Sequence, residues 1–266
     1  GVLVILRPGI GVFAPAALFP LMAAVMFALY GLLTRYAARR DSAATSFFWT
    51  GVSGVDLALC FSLWAIRMFG VTAGYHRYFS HRTFQTSRLG QLLLAILAQT
   101  SSQRGVLWWA AHHRVHHRWS DTERDVHSPG RRGLYHAHVG WLFNGEHDET
   151  RVSKVRDLAR FPELRWLDTY WYVPPIALGV LVGLLFGWSG LIVGMFGSTV
   201  LLWHTTFMIN SLAHVIGHRR FETTDESRNH FGLALLTLGE GWHNNHHHYM
   251  NSCRQGFRWW EIDVTY

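Results

Sequence analysis

Residues 169–218 decide the fold, and their sequence is TYWYVPPIALGVLVGLLFGWSGLIVGMFGSTVLLWHTTFMINSLAHVIGH. These fifty residues contain no Asp, Glu, Lys or Arg. Because about 20 apolar residues in a helix cross a bilayer, the stretch is long enough for two crossings. Gly187, Ser189 and Gly190 lie near its middle and favour a tight turn. The stretch therefore predicts a helical hairpin embedded in a membrane.

Two earlier stretches have the same character. Residues 13–33 carry no charge, and residues 45–66 are interrupted only by Asp56. The apolar run 89–99 is too short to cross a bilayer and predicts a buried or interfacial helix. We therefore predict four transmembrane helices in two hairpins, with spans at about 13–33, 45–68, 171–188 and 190–210.

This topology brings the segments 70–170 and 211–266 to the same face of the membrane. All 18 His lie between His76 and His248, and 19 of the 24 basic residues lie in these two segments. The excess of positive charge favours the cytoplasmic side. We expect one all-α membrane domain over residues 1–266, with a helical cytoplasmic cap formed by the two segments and a bacterial inner membrane as its location.

The composition excludes several classes of site. Only 2 Cys accompany the 18 His, so an iron–sulfur cluster or a four-cysteine zinc site is excluded and any metal is held mainly by imidazole. The net charge is +7, but 14 of the 24 basic residues lie between Arg77 and Arg165, beside the apolar runs. This distribution favours lipid headgroups or an anionic substrate as partners and argues against nucleic acid.

Most of the histidines fall into four clusters. HxxHH patterns at 113–117 and 243–247 place three imidazoles within an arc of about 100° if each segment is helical. Asn210 and His214 are one helical turn apart. His76 and His81 are five residues apart, so we expect a bend or a helix end between them.

Such a concentration of polar side chains beside a membrane leaves many groups unsatisfied unless something binds them. Nine His and one Asn exceed what one ion can accept, so the clusters predict two metal ions. Imidazole binds iron, zinc and copper, and the ligand type alone does not choose among them. HExxH and the zinc deaminase signature are both absent from the sequence, which argues against a zinc hydrolase.

In this order the four clusters resemble the motifs of the membrane fatty acyl-CoA desaturases of the stearoyl-CoA type. The resemblance extends over roughly residues 45–266. It includes Gly-Val-Thr-Ala-Gly-Tyr before His76, and the short motifs at 119–122, 131–133, 138–141 and 239–242. It implies an oxidoreductase of lipid metabolism and fatty acid biosynthesis that uses O2 as co-substrate and introduces a cis double bond into a fatty acyl chain.

The resemblance also implies a non-haem site with two iron ions, and no catalytic side chain beyond it. Asn210 would reach one iron through water. The direct ligands it implies are His76, His81, His113, His116, His117, His214, His243, His246 and His247. Because these ligands are neutral, we expect nearby carboxylates to orient the rings, with Asp121, Asp125 and Glu240 as candidates.

An acyl chain offers no polar handle at the reacting carbons, so a bent apolar tunnel must measure it. By resemblance, Trp64 and Met68 occupy the positions that close the methyl end, and their bulk predicts a short pocket. Gln103 and Trp109 match positions near the polar end of the substrate, and Thr206 matches one beside the thioester.

Two features depart from the animal enzymes. Phe207 replaces a Trp that donates a hydrogen bond to the thioester carbonyl, which Phe cannot do. The segment 144–149 is acidic where those enzymes carry Arg and Lys for the CoA phosphates, although Arg114, together with Arg151, Lys154 and Arg156, offers positive charge nearby. Acyl-CoA remains the first choice of substrate, followed by acyl carrier protein or a glycerolipid.

Several alternatives stay open. The same oxidant supports hydroxylation, acetylene formation, or decarboxylation of a free fatty acid to a terminal alkene. A membrane metal-binding or transport protein is a remote alternative, since polar residues seldom interrupt the predicted spans. The sequence contains no flavin or nucleotide fingerprint, so we expect a separate electron donor of the ferredoxin, rubredoxin or cytochrome b5 type.

Overall fold

The computed structural model describes residues 25, 28, 29, 31, 32, 35, 36, 39–145 and 148–266. The predicted first span, 13–33, therefore lies largely outside the described residues. The chain divides into two units, Gly1–Val55 and Asp56–Tyr266. All the predicted site residues belong to the second unit.

The described residues are helical, and their only extended pairing consists of isolated bridges from Asn229 to His218 and to Trp242. This agrees with the predicted all-α class. The helices are α1 (Ala43–Phe69), α2 (Arg88–Gln99), α3 (Val106–Trp119), α4 (Pro129–Arg132), α5 (Leu134–His138), α6 (Arg156–Ala159), α7 (Pro162–Thr169), α8 (Val173–Ser189), α9 (Ser198–Ser211), α10 (Phe231–Leu236) and α11 (His243–His248). Segments of π or 3₁₀ type are Gly70–Ser80, Gly140–Phe143, Val152–Lys154, Gly190–Gly197 and Leu212–His214.

Two helical stretches in the described residues are long and apolar enough to cross a membrane. Ala43–Ser80 has a mean hydropathy of 1.5 in its most apolar window, and Val173–His214 reaches 2.3. Only 11% of that second window is buried within the protein. An apolar surface of this size, left exposed, is typical of a segment that faces lipid.

The second stretch is a hairpin. Gly187 has φ 66° and ψ −162°, which interrupts the helix. A Cβ atom added at Gly179 or Gly183 would lie 3.9 Å from a methyl group of Leu191. Residues 179 and 191 would be about 18 Å apart in a straight helix, so the chain reverses at Gly187. The turn expected near the middle of residues 169–218 is therefore present.

The segment Gly70–Ser80, which follows α1, packs closely against α2 because of two glycines. A Cβ atom at Gly70 would lie 2.9 Å from Leu97 Cγ, and one at Gly74 would lie 3.2 Å from Ala98 Cβ. Two small residues four positions apart allow this approach. The contact fixes the segment Gly70–Ser80, which carries His76.

The amino-terminal end of α3 is held by a carboxylate from α7. Asp168 Oδ1 accepts hydrogen bonds from the backbone N–H groups of Leu107 and Trp108, both at 2.9 Å, and Oδ2 accepts one from Thr150 at 2.8 Å. These donors are among the four that a helix start leaves without partners. Asp168 thereby fixes the helix that carries the first HxxHH pattern.

Candidate metal centre and substrate cavity

Five histidines converge at one point. Their ring nitrogens lie within 4.8 Å of one another. The Nε2 atom of His113 lies 2.8 Å from that of His81 and 3.0 Å from that of His117. Two nitrogens bound to one metal at right angles, each at about 2.1 Å, are about 3.0 Å apart. This five-histidine group therefore has the spacing of a set of metal ligands, and its members are His76, His81, His113, His117 and His246.

A second group adjoins the first. It comprises His116, His214, His243 and His247, all buried, with ring nitrogens within 4.8 Å of one another. The Nε2 atoms of His214 and His243 are 3.0 Å apart. The rings of His117 and His247 bring this four-histidine group next to the first one, with centroids 4.4 Å apart.

Each HxxHH pattern divides between the two groups. His113 and His117, which are one turn apart on α3, belong to the five-histidine group, whereas His116 belongs to the other. On α11, His243 and His247 belong to the four-histidine group and His246 to the five-histidine group. Helices α3 and α11 therefore each contribute ligands to both groups. The sequence predicts only that the three imidazoles of each pattern lie on one side of their helix.

The spacing of His76 and His81 has a specific local cause. The segment Gly70–Ser80 is of π type, and the N–H of His81 donates to the carbonyl of His76 at 3.2 Å. In this conformation residues five apart are one turn apart. The two rings therefore lie on one face, with centroids 4.8 Å apart, and the helix ends between them as expected.

Four carboxylates bind the outer nitrogens of four of these rings. The Nδ1 atom of His76 lies 2.5 Å from Glu240, that of His116 3.0 Å from Asp125, and that of His214 2.8 Å from Asp121. His247 has the same arrangement with Asp225, at 2.7 Å. An ionised carboxylate can only accept hydrogen bonds, so each Nδ1 must carry the ring proton and donate the hydrogen bond. The unprotonated Nε2 is then available to bind a metal.

The surroundings keep these carboxylates ionised. Burial raises the pKa of Glu240, but His76 and Arg77 outweigh it and lower the pKa from 4.5 to about 2. Burial also raises the pKa of Asp121. The hydrogen bond from His214 outweighs this effect, and the pKa falls from 3.8 to about 2. The pKa values of Asp125 and Asp225 are also lowered, against burial, by their histidine partners.

Burial keeps most of the converging rings neutral. It lowers the pKa values of five of them well below 6.5, with neighbouring histidines as the next cause: His81, His113, His117, His243 and His246. Neutral imidazole is the form that binds a metal. His116 is different, because Asp125 outweighs burial and raises its pKa.

Several buried nitrogens in the two groups have no hydrogen-bond partner among the described residues: His247 Nε2 and the Nδ1 atoms of His117, His243 and His246. A buried polar atom without a partner costs about 1–3 kcal/mol. A bound ion satisfies the nitrogens that face it. Of these atoms, His247 Nε2 is the one an ion would satisfy, because His117, His243 and His246 face the centre through Nε2. The donor set, its neutral state and the unpaired Nε2 of His247 fit a metal centre.

A cavity of about 240 Å³ lies beside the five-histidine group. Its wall contains His113 together with Gln103, Trp109, Thr206, Phe207 and Asn210, all of which were predicted from sequence. The Trp109 indole donates to Gln103 at 3.2 Å, and Gln103 donates to Thr206 at 3.1 Å. Trp109 also stacks on His113, with centroids 4.9 Å apart. The cavity therefore presents a short polar chain next to the ligands.

Asn210 and Phe207 lie on the α9 side of this cavity. Asn210 lines the cavity together with His113 of the five-histidine group. Phe207 is buried and meets the edges of His138 and Trp141. It supplies an apolar surface and no hydrogen-bond donor to the cavity wall.

Three predicted substrate residues do not line the cavity. Trp64 donates to Thr205 at 3.2 Å, and Met68 is buried 3.7 Å from the Thr206 hydroxyl, so both lie behind the cavity wall. The guanidinium of Arg114 donates to Asp157 at 2.8 and 3.1 Å and to three backbone carbonyls. Arg114 therefore joins the end of the Gly70–Ser80 segment to Lys154 and Asp157.

The sequence does not point to Asp225 or Asp168, and it does not identify the histidine that Glu240 contacts. Asp225 lies 22 positions before His247, and Asp168 is 60 positions from Trp108, so no local spacing connects them. Glu240 precedes His243 by three residues, a spacing that would place both on one face of a helix. Since α11 begins only at His243, the helical spacing does not apply, and Glu240 contacts His76.

Comparison with known proteins agrees with this site. The family model described as fatty acid desaturase matches residues 49–264. The chain is 37% identical over 223 residues to an sn-1 stearoyl-lipid 9-desaturase of Anabaena variabilis, covering 84% of this chain and 80% of the relative.

Two further relatives differ in their named substrates. One is a hex-5-enoyl-[acyl-carrier protein] acetylenase of Moorena producens (strain JHB), 37% identical over 240 residues, with 82% of this chain and 74% of the relative covered. The other is an acyl-CoA C20 Delta5-desaturase of Anemone leveillei, 34% identical over 212 residues, with 78% and 68% covered. The match over most of the chain, on a fold that gathers the histidine motifs at one centre, shows that this protein is an oxidoreductase of the fatty acid desaturase family.

Proposed function

We propose that the chain is a multi-pass membrane enzyme that holds two iron ions and desaturates a fatty acyl chain with O2. The observation that carries this proposal is the convergence of nine histidines into two adjoining groups beside a cavity. Family membership supports the reaction class, and the division of the histidines into two groups supports the proposal of two ions.

The five-histidine and four-histidine groups would each hold one ion, and Asn210 would approach through water. When bound, the irons supply the activation of O2 that allows an unactivated C–H bond to be broken. The protein orients the rings. Glu240, Asp121, Asp125 and Asp225 each fix one imidazole through Nδ1, and carboxylates of this kind raise the basicity of the ligand.

The cavity would place the reacting methylenes next to His113. Trp109, Gln103 and Thr206 form a polar part of its wall, and Phe207 adds an apolar part that would exclude water. Binding of the rest of the chain holds the acyl group in one orientation, which determines where the double bond forms. Trp64 and Met68, behind the wall, would limit the length beyond the irons.

The relatives support more than one acyl carrier. Their names include a stearoyl-lipid, an acyl-carrier protein and an acyl-CoA substrate. The close relation to an acetylenase also favours acetylene formation as a second candidate outcome. Hydroxylation and terminal alkene formation use the same centre and are distinguished by their products.

The proposed topology has four spans in two hairpins with the cap on the cytoplasmic side of a bacterial inner membrane. Support comes from the two long apolar stretches, the reversal at Gly187 and the basic cap. Electrons would come from a carrier of the ferredoxin, rubredoxin or cytochrome b5 type, whose cofactor these 266 residues do not provide.

Turnover of the iron-loaded protein tests the proposal. Purified protein is supplied with ferrous iron, a reductant system and stearoyl substrates on CoA, acyl carrier protein and glycerolipid. We expect about two irons per chain, oxygen consumption that depends on substrate, and a double bond located by mass spectrometry. Iron binding without any modified acyl product would contradict the proposed function and favour a metal-binding or transport protein.

A further inference from the structure

Arg104 lies at the cavity wall on a strained loop. Its φ is +69° and that of Ser102 is +61°, both in the left-handed region that residues other than glycine seldom adopt. The hydroxyl of the buried Tyr75 donates to the carbonyl of Arg104 at 2.7 Å and fixes the backbone. Strained backbone that is held by its surroundings is common at ligand sites.

The guanidinium of Arg104 contacts two indole rings. It lies 5.7 Å from the centroid of Trp108 and 5.9 Å from that of Trp171, and both rings line the cavity. A cation–π interaction at this distance does not use the N–H groups of the arginine as donors, so it does not prevent them from binding an anion. Among the described residues that line the cavity, Arg104 is the only Arg or Lys.

Asp148, which also lines the cavity, is the carboxylate partner of Arg104. The two side chains are 40% and 60% exposed. An exposed ion pair contributes only about 0–1 kcal/mol, so a stronger anion can replace Asp148 at little cost. Arg114, the anion-binding candidate from sequence, is in contrast engaged by Asp157 and backbone carbonyls.

We propose that Arg104 binds a phosphate group of the acyl carrier at the mouth of the cavity. The phosphate then replaces Asp148 as the ion-pair partner of Arg104. A guanidinium donates two parallel hydrogen bonds to phosphate oxygens, which gives both charge and orientation. The carrier is then a phosphate ester, such as coenzyme A or a phospholipid. This inference rests on the proposed function because it assigns the carrier of the same acyl substrate.

Binding to the iron-loaded full chain, measured without oxygen so that no turnover occurs, tests the proposal. The ligands are stearoyl-CoA, a stearoyl phosphatidylglycerol and an uncharged stearoyl galactolipid. We expect Arg104→Gln to weaken binding of the phosphate ligand about tenfold and to leave the galactolipid unchanged. Arg104→Lys should lie between, because lysine keeps the charge but loses the planar fork. The ligand that responds identifies the source of the phosphate.

Two variants serve as controls. Asp148→Asn should tighten binding of the same ligand about two- to threefold, since Arg104 no longer has a competing carboxylate. Arg88→Gln removes an equal charge from the exposed pair with Glu163, away from the cavity, and should change nothing. If Arg104→Gln and Arg88→Gln bind every phosphate ligand as the parent does, the assignment is wrong even when the parent forms product. Absence of product from the parent, with the Arg104 effect on binding intact, would instead contradict the proposed function alone.

Discussion

Replacing Glu240 by Gln should weaken iron binding because it disturbs one ligand, His76. One carboxylate oxygen of Glu240 accepts from His76 Nδ1 at 2.5 Å and from Gln255 at 3.0 Å. The other accepts from Arg77 at 2.9 and 3.1 Å. Gln has nearly the same shape but no charge, and its amide nitrogen does not accept a hydrogen bond. The substitution therefore removes the charge that fixes the orientation and tautomer of His76.

The size of the effect follows from these contacts. Loss of a carboxylate that orients a metal-binding histidine typically weakens metal affinity about 10- to 100-fold. The stability cost should be smaller than for breaking an isolated buried pair, because Arg77 keeps Asp263 at 2.8 Å and the carbonyl of Cys253 at 2.7 Å. We expect about 1–3 kcal/mol.

Asp263→Asn is the matched control. The Asp263 side chain is also buried and also pairs with Arg77, and the contacts found for it among the described residues include no histidine ring of the two groups. It should destabilise the fold by a similar amount and retain iron. The assay combines the iron content of each purified variant with the rate at which a ferrous chelator removes the metal, and thermal unfolding provides the stability comparison.

The outcome that refutes the reasoning is specific. If Asp263→Asn loses iron as readily as Glu240→Gln, the network around Arg77 supports the fold and does not act through His76. If Glu240→Gln releases iron at the rate of the parent, the carboxylate does not tune that ligand.

Three further predictions concern chain length, packing and pH. Trp64→Ala should shift the product towards longer acyl chains, because it empties space behind Thr205, and an unchanged chain-length profile by mass spectrometry would contradict it. Gly241→Ala should destabilise the protein by about 1–3 kcal/mol, measured by thermal unfolding, since the added Cβ overlaps the backbone of residues 233 and 234; a melting temperature equal to that of the parent would exclude this overlap. The iron-free protein should lose stability as the pH falls from about 4 towards 2, because the pKa values of Glu240 and Asp121 are lowered to about 2 and their contribution is complete only above the unfolded-state values near 4. Glu240→Gln should reduce this loss of stability between pH 4 and pH 2. If the variant loses as much stability as the parent over this range, other groups cause the loss.

Much of the fold is visible in the sequence because it is local. The absence of charge over residues 169–218 and the glycines at its centre indicate two apolar helices and a turn, and the structure has both. The run at 89–99 is the helix α2 (Arg88–Gln99). These features depend on neighbours within a few positions, so periodicity and composition are sufficient to predict them.

The candidate site is predictable only in part. The histidines are found from their spacing, yet the i and i+4 pairs belong to one group while the i+3 member joins the other. Asp225 and Arg104 carry no local signal. Glu240 does not share a helix with His243, and its partner is His76, 164 positions earlier.

The sequence by itself determined the class of the protein: apolar helices, nine clustered histidines and the family that these motifs define. Only the tertiary structure decided how those ligands divide between two groups, which carboxylate fixes which ring, and which arginine faces the cavity. The physical reason is the range of the interactions. Helix formation and side-chain spacing are set within one or two turns, whereas a ligand set, a buried ion pair or a cavity wall forms from segments that are distant in the chain and that packing alone brings together.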